Sequence, residues 1–145
     1  MALMIVLGAV LIGATILIHY EALNIASSLL ARLHRRPRIA VLFVVLALVL
    51  AHLLEISLHG TAFYVERARF AVTGSGGDKA SAFWTYLYFS AETYTSLGIG
   101  DLVPGGELRF LVGLETLIGL LMIGWSSSFI FLAMQRFWRF DAGTR

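Results

Sequence analysis

The sequence contains no cysteine, only two prolines and few charged residues. Without cysteine the chain forms neither disulfides nor metal sites built on thiolates. Charged residues make up 14% of the 145 positions, whereas 59% are hydrophobic, and the mean hydropathy is +0.83. A soluble domain of this size could not bury so much apolar surface, and the net charge of +2 is too small to predict a nucleic-acid partner. The composition therefore predicts one small membrane domain that is surrounded by lipid.

Three apolar runs are long enough to cross a bilayer as helices, which takes about 20 residues each. The first run, residues 1–18, contains no charged residue, and good helix formers follow it. A signal peptide is the alternative for this run, but no positively charged segment precedes it, so a membrane span is favoured. The predicted divisions are an N-terminal helix with a basic loop (1–38), an outer helix (39–58), an inner helix (108–134) and a short tail (135–145).

The region between the second and third runs has a different character. A polar loop over 60–80 contains the glycine-rich stretch 73–78, which is typical of turns. The apolar and aromatic segment 81–95 that follows makes about four helical turns, which is too short to cross a bilayer. We therefore expect a short helix that enters the membrane without spanning it.

A heptad with two glycines follows the short helix: Thr95, Ser96, Leu97, Gly98, Ile99, Gly100 and Asp101. Glycine reaches positive φ without steric cost, so such a stretch can turn its carbonyls to one side. The order of outer helix, short helix, heptad and inner helix resembles the two-helix pore module of tetrameric potassium channels over residues 39–134. The filter of that family usually reads Thr-Val-Gly-Tyr-Gly-Asp.

The resemblance implies a complete architecture. It predicts an all-α membrane protein with three transmembrane helices, a re-entrant pore helix over 81–95 and a filter over 96–101. One chain carries one such motif, so four copies would be needed to close a ring, and the expected assembly is a homotetramer. The filter would hold K⁺ as its only ligand, without an organic cofactor, on the backbone carbonyls of Ser96, Leu97, Gly98 and Ile99.

The resemblance also implies support behind the filter. Glu92 lies nine residues before Asp101, and in bacterial potassium channels a glutamate near the end of the pore helix pairs with the filter aspartate. Two carboxylates that close would share a proton; the alternative is that Glu92 caps or solvates the short helix. Aromatic residues of this helix, Trp84 and Tyr88 among them, would form an apolar cuff around the filter.

Three filter positions depart from the family pattern: Ser96 stands where threonine is usual, Leu97 where valine is usual and Ile99 where tyrosine is usual. Ile99 stands where the family has tyrosine, whose hydroxyl normally bonds behind the filter and holds its diameter. The ligands are backbone carbonyls, so the change removes none of them, but isoleucine cannot hydrogen-bond. The sequence therefore predicts K⁺ preference together with softer discrimination or easier collapse of the filter.

Gly119 and Gly124 interrupt the third apolar run. Glycine lowers helix stability, so both positions are candidate gating hinges in the inner helix. Close packing of helices through small residues is the alternative interpretation.

Ionisable residues also occur within the predicted spans. His52, Glu55 and His59 follow the spacing i, i+3 and i+7, which places them on one face of the second helix. Three interpretations remain open: a pH sensor, a His/Glu metal site, or a structural polar contact. His19, at the end of the first span, is expected to anchor that helix at the interface, and Glu115 needs a partner or water.

Arginines are distributed unequally between the two expected sides. The side that carries the basic loop and the C-terminal tail has seven arginines, at positions 32, 35, 36, 38, 136, 139 and 145, against four basic residues at 67, 69, 79 and 109. The positive-inside rule predicts a multi-pass protein of a cell (inner) membrane, with the N-terminus outside and the C-terminus in the cytoplasm.

These observations predict a K⁺-preferring channel. A weakly selective monovalent cation channel is the first alternative, because of Ile99. A non-conducting pH or metal sensor, or a regulatory subunit built on a pore fold, is the second. The first span contains no arginine series of the kind found in voltage sensors, and the sequence shows no nucleophile–base pair or phosphate loop that would predict an enzyme.

Overall fold

The computed structural model describes residues 1–33, 35–67, 72–74 and 82–141. Within them lie four helices, namely α1 (Ala2–Arg32), α2 (Pro37–Glu66), α3 (Phe83–Tyr94) and α4 (Leu108–Asp141), and two short strands, β1 (Val72–Gly74) and β2 (Leu102–Pro104). Three basic residues counted above and most of the glycine-rich stretch lie outside the described residues: Arg69, Lys79, Arg145 and residues 75–78.

Three of the helices are long and apolar enough to span a membrane: Ala2–Arg32, Pro37–Glu66 and Leu108–Gln135. Large aliphatic side chains cover the outside of each helix, including Leu17, Leu54 and Leu121, which are more than half exposed in the single chain. Such surfaces suit lipid tails and not water. The prediction of an all-α membrane protein is confirmed.

The end of the outer helix differs from the prediction. The sequence predicted an end near residue 58 and a loop from 60, but α2 continues through Glu66. Gly60 does not end the helix; it lets α2 approach α3 closely. A Cβ at this position would lie 3.1 Å from the Leu87 Cα, so glycine serves helix packing here.

The two strands form an antiparallel pair that the sequence analysis did not predict. Val72 pairs with Pro104, and Gly74 pairs with Leu102. Each strand has three residues, which is too short for an alternating hydrophobic pattern to be recognised. The pair joins the segment before α3 to the segment that follows the heptad.

Three clusters of buried apolar side chains follow one another along the helices. The cluster nearest the strands contains Met4, Phe63, Phe89 and Leu111, the middle one contains Tyr94, Ile118 and Met122, and the third contains Leu23, Val44 and Ala133. Helix α1 contributes to the first and third clusters and packs against both α2 and α4. It therefore lies along the other two spans over their whole length.

Candidate functional site

The heptad continues directly from the last turn of α3. Ser96, Gly98 and Gly100 have φ angles of 60°, 54° and 83°, and these left-handed residues alternate with Leu97 and Ile99. Leu97 and Ile99 are not among the residues of positive φ, so the sign of φ alternates from Ser96 to Gly100. A row of carbonyl ligands along this stretch stays a prediction.

The N–H groups of the heptad are held by the end of α3. The amide of Ser96 donates to the carbonyl of Thr93 at 3.0 Å, and the amides of Leu97 and Gly98 both donate to the carbonyl of Glu92, at 2.8 and 3.3 Å. The Glu92 carboxylate accepts a further bond from the backbone of Ile99. These bonds also satisfy carbonyls that the helix end would otherwise leave unpaired.

Ser96 is the one non-glycine residue with positive φ within the described residues. A left-handed conformation costs an ordinary L-residue about 1–2 kcal/mol, and a β-branched residue is an outlier there. Serine is therefore easier to place at this position than the threonine that the family usually has.

Tyr88 stands between the two carboxyls that were predicted to pair. Its hydroxyl donates toward both oxygens of Asp101, at 3.3 and 3.4 Å, and it also bonds to Glu92. Glu92 itself is buried, and its Oε2 has no hydrogen-bond partner among the described residues. The two carboxyls are thus linked through the tyrosine, where the sequence analysis expected a direct pair.

Trp84, which was predicted to belong to the apolar cuff, is largely exposed in the single chain. Its side chain is 74% exposed, and its ring contacts Phe83 with a centroid separation of 5.7 Å. The role expected for it at the filter remains a prediction.

Burial, and after it the negative charge of Asp101, raises the pKa of Glu92 above its ordinary value of 4.5. The folded protein therefore keeps this proton to a higher pH than the unfolded chain does. The stabilising contribution is present at low pH and is lost as pH rises through the raised pKa.

We expect Glu92→Gln to reduce the pH dependence of stability. Glutamine keeps the shape of the side chain but cannot ionise, so the wild-type melting temperature should fall by a few degrees relative to the variant as pH rises from about 4.5 to 7. The measurement is the melting temperature in detergent at each pH, with Glu21→Gln, an exposed carboxylate on α1, as control. Equal pH profiles for Glu92→Gln and the wild type would contradict this expectation.

A family model described as an ion channel matches residues 39–136, which is more than half of the chain. The chain belongs to this ion channel family. The match supports the resemblance to a two-helix pore module, as predicted from the heptad and its flanking helices. No curated protein and no solved structure matches the chain significantly.

The matched part of the channel begins two residues inside α2 and includes α3, the heptad and most of α4. Helix α1 lies ahead of it. The three spans and the family together make the chain a multi-pass membrane protein of the channel type.

Gly119 lies against the end of the channel's short helix. A Cβ at this position would overlap the carbonyl oxygen of Tyr94, whereas a Cβ at Gly124 or Gly113 would meet nothing within 4 Å. This contact favours close packing as the reason for glycine at 119. The hinge interpretation of Gly119 and Gly124 stays a prediction.

Gly119→Ala should destabilise the channel by about 1–3 kcal/mol or more per chain, because the new methyl group overlaps backbone atoms that cannot move away easily. Gly124→Ala and Gly113→Ala are the matched controls, and each should be neutral or stabilising by up to about 1 kcal/mol through helix propensity. Thermal unfolding in detergent measures the difference. A Gly119→Ala protein that is as stable as its two controls would show that the helices do not meet in this way.

A buried polar cluster connects all four helices of the channel. His19 on α1 lies 3.0 Å from Glu55 on α2, and both side chains are fully buried. The Tyr94 hydroxyl donates to Glu55, and His52 lies 2.9 Å from that hydroxyl. Ser126 on α4 lies 3.0 Å from His52 and 3.3 Å from His19.

This cluster corrects two expectations from the sequence. His19 is not an interfacial anchor, since its side chain is fully buried among the helices. His59 does not join His52 and Glu55; its Nε2 lies 3.1 Å from the Thr15 hydroxyl instead. Sequence spacing identifies residues on one face of one helix. It cannot show that His19, from another helix, joins His52 and Glu55 where His59 was expected.

Glu115 forms a second polar contact, on the other side of α3. Its side chain is fully buried and accepts a hydrogen bond from the Ser90 hydroxyl at 2.5 Å. The same hydroxyl lies 2.8 Å from the carbonyl of Ile56, so Ser90 connects α4 and α2 through the short helix.

Proposed function

We propose that the channel is a homotetramer that conducts K⁺ through backbone carbonyls of residues 96–99. The observation that carries the proposal is the backbone of the heptad: residues of positive φ alternate with residues of negative φ, and the N–H groups of Ser96, Leu97 and Gly98 are bonded to the end of α3. Their carbonyls are left for a ligand. Rings of such carbonyls replace the hydration shell of a cation.

The surface of the single chain supports assembly from several copies. Leu97 and Ile99 are 66% and 59% exposed, although apolar side chains beside a rigid backbone segment normally pack against something. A closed ring around an axis would place each heptad against its neighbours. Each chain contributes one heptad, and a filter of this class is formed by four such segments around one axis. Four chains are therefore needed.

The electrostatics of α3 favour a cation. The C-terminal end of a helix carries a partial negative charge, and α3 ends at Tyr94, immediately before the heptad. Four such ends directed to one axis would stabilise a dehydrated cation below the filter.

Ile99 is the observation that favours the second candidate, a weakly selective cation channel. Its side chain cannot make the hydrogen bond that the family's tyrosine makes, so the filter diameter depends on packing alone. We propose K⁺ preference because the carbonyl ligands themselves are unaffected.

The proposed location is the cell (inner) membrane, with the N-terminus and the outer mouth on the same side. The backbone nitrogen of Met1 lies 2.7 Å from the carboxylate of Glu107, so the start of α1 is beside the segment that follows the heptad. The unequal distribution of arginines supports an external position for that side.

A flux assay tests the function. We expect liposomes that contain the purified protein to show K⁺-driven flux, with a reversal potential that favours K⁺ over Na⁺. Equal permeability would support the weakly selective pore, and absence of flux between pH 5 and 8 would favour the non-conducting sensor. A monomer or dimer by native mass would contradict the tetramer.

A substitution in the heptad tests whether the ion passes along its backbone carbonyls. Gly98→Ala places a Cβ on a residue with a φ of 54°, at about 1–2 kcal/mol per chain and therefore about 4–8 kcal/mol per pore. We expect at least a tenfold loss of K⁺ flux while the oligomer persists. The control is Gly113→Ala in α4, where a Cβ meets nothing within 4 Å; unchanged flux and selectivity in Gly98→Ala would mean that the heptad is not the filter.

A further inference from the structure

Five side chains in the buried polar cluster form a closed ring: Glu55, His19, Ser126, His52 and Tyr94. Each contacts the next, and Tyr94 returns to Glu55. The ring takes members from α1, α2, α3 and α4. Glu55 and His19 are fully buried, and Tyr94 is 1% exposed.

With both imidazoles neutral and the carboxylate ionised, the ring lacks one hydrogen. Five contacts need five hydrogens, but the tyrosine, the serine and two neutral imidazoles supply one each, and an ionised carboxylate supplies none. One contact therefore has two acceptors facing each other unless a cation is added. In a bilayer no water is at hand to relieve such a mismatch.

The atoms around the carboxylate have the arrangement of a metal site. The Nδ1 atoms of His19 and His52 lie 3.0 and 3.4 Å from the two oxygens of Glu55, and ligand atoms of all three residues lie within 4.8 Å of one another. A tetrahedral ion with bonds of about 2.0–2.2 Å keeps its ligands roughly 3.3–3.6 Å apart. Small side-chain shifts would bring the three atoms to such an ion.

Ser126 supplies the outer contacts that metal-bound histidines need. The Nε2 atoms of both His19 and His52 lie within 3.3 Å of its hydroxyl. Ligating histidines usually donate the other ring N–H to an acceptor, which fixes the tautomer and the ring orientation. One serine oxygen has two lone pairs and can accept both N–H groups, so both Nδ1 lone pairs are directed to the carboxylate side.

We propose that His19, His52 and Glu55 bind one divalent transition-metal ion of the Zn²⁺ class, with the Tyr94 hydroxyl as the fourth ligand. Two imidazoles and a carboxylate are a common ligand set for such ions. Two neutral imidazoles and one carboxylate leave the site with one positive charge. Release of the tyrosine proton on binding brings the buried site to neutrality.

Neighbouring charged groups do not compete for the ion. His59 is the next ionisable residue on α2 and is bonded to Thr15; Glu115 on α4 acts electrostatically on Tyr94 but is bonded to Ser90. The His52 side chain is 20% exposed, so an ion would enter the cluster at this residue.

The position of Tyr94 gives the site a consequence for conduction. Tyr94 is the last residue of α3 and stands two residues before Ser96. An ion bound to it and to α1 and α2 would fix the end of the short helix that holds the heptad. This consequence rests on the proposed function, whereas metal binding itself does not.

Metal binding is tested on the intact, chelator-treated oligomer in detergent. We expect equilibrium dialysis against micromolar Zn²⁺ to give one ion per chain, and Co²⁺ to give the visible absorption of a tetrahedral site. His19→Gln and Glu55→Gln should abolish uptake. His59→Gln is the matched control and should keep it, and Ser126→Ala should bind 10–100-fold more weakly.

Several results would overturn the metal site. No uptake by the wild type would mean that a proton completes the ring. Equal uptake by wild type and His19→Gln, or loss in His59→Gln alone, would refute the ligand set. If the variants fail to assemble, an octahedral Co²⁺ spectrum of the wild type would refute the site, and a tetrahedral one would support it. Zn²⁺ binding without K⁺ flux would overturn the proposed function and leave this inference standing.

Discussion

The last turn of α3 is the part on which the rest of the channel depends. Its carbonyls at Glu92 and Thr93 hold the amides of the heptad, and the carbonyl of Tyr94 touches α4 where Gly119 leaves room. The hydroxyl of Tyr94 reaches Glu55 on α2. Any movement of this turn would therefore move the heptad relative to all three spans.

The bilayer explains why these contacts are polar and paired. A polar group buried in hydrocarbon costs several kcal/mol unless it finds a partner within the protein. Glu55 meets two histidines and a tyrosine, and Glu115 meets Ser90. Because His19, Tyr94 and Ser90 each lie on a different helix from the carboxylate they contact, these pairs fix how the helices are rotated against one another, which apolar contacts alone leave loosely defined.

Much of the architecture could be predicted from the sequence. The length of the apolar runs determines the spans, and the heptad between a short aromatic helix and the third run indicates the pore module. Contacts between helices could not be predicted in the same way. His19 lies 36 positions before Glu55, and no periodicity relates residues of two helices, so the sequence analysis placed it at the interface.

The end of α2 and the hydrogen bonds of Tyr88 could not be predicted from the sequence, for related reasons. Gly60 looks like a helix end in the sequence, but glycine also permits close approach, and only the position of Leu87 on α3 decides between the two. Tyr88 was expected to contribute packing, yet its hydroxyl bonds to Asp101 and takes the place of a direct carboxyl pair. In both cases the residue type is compatible with two structural roles, and only its neighbours in the fold show which role it has.

Buried polar contacts also explain why helix α1 packs against α2, although the match to the channel family begins after α1. It supplies His19 to Glu55 and Thr15 to His59, both of which are buried on α2. A buried polar group that loses its hydrogen-bond partner typically costs about 1–3 kcal/mol. Without α1, both buried side chains would lose these partners, so the helix that precedes the matched region stabilises the polar face of α2.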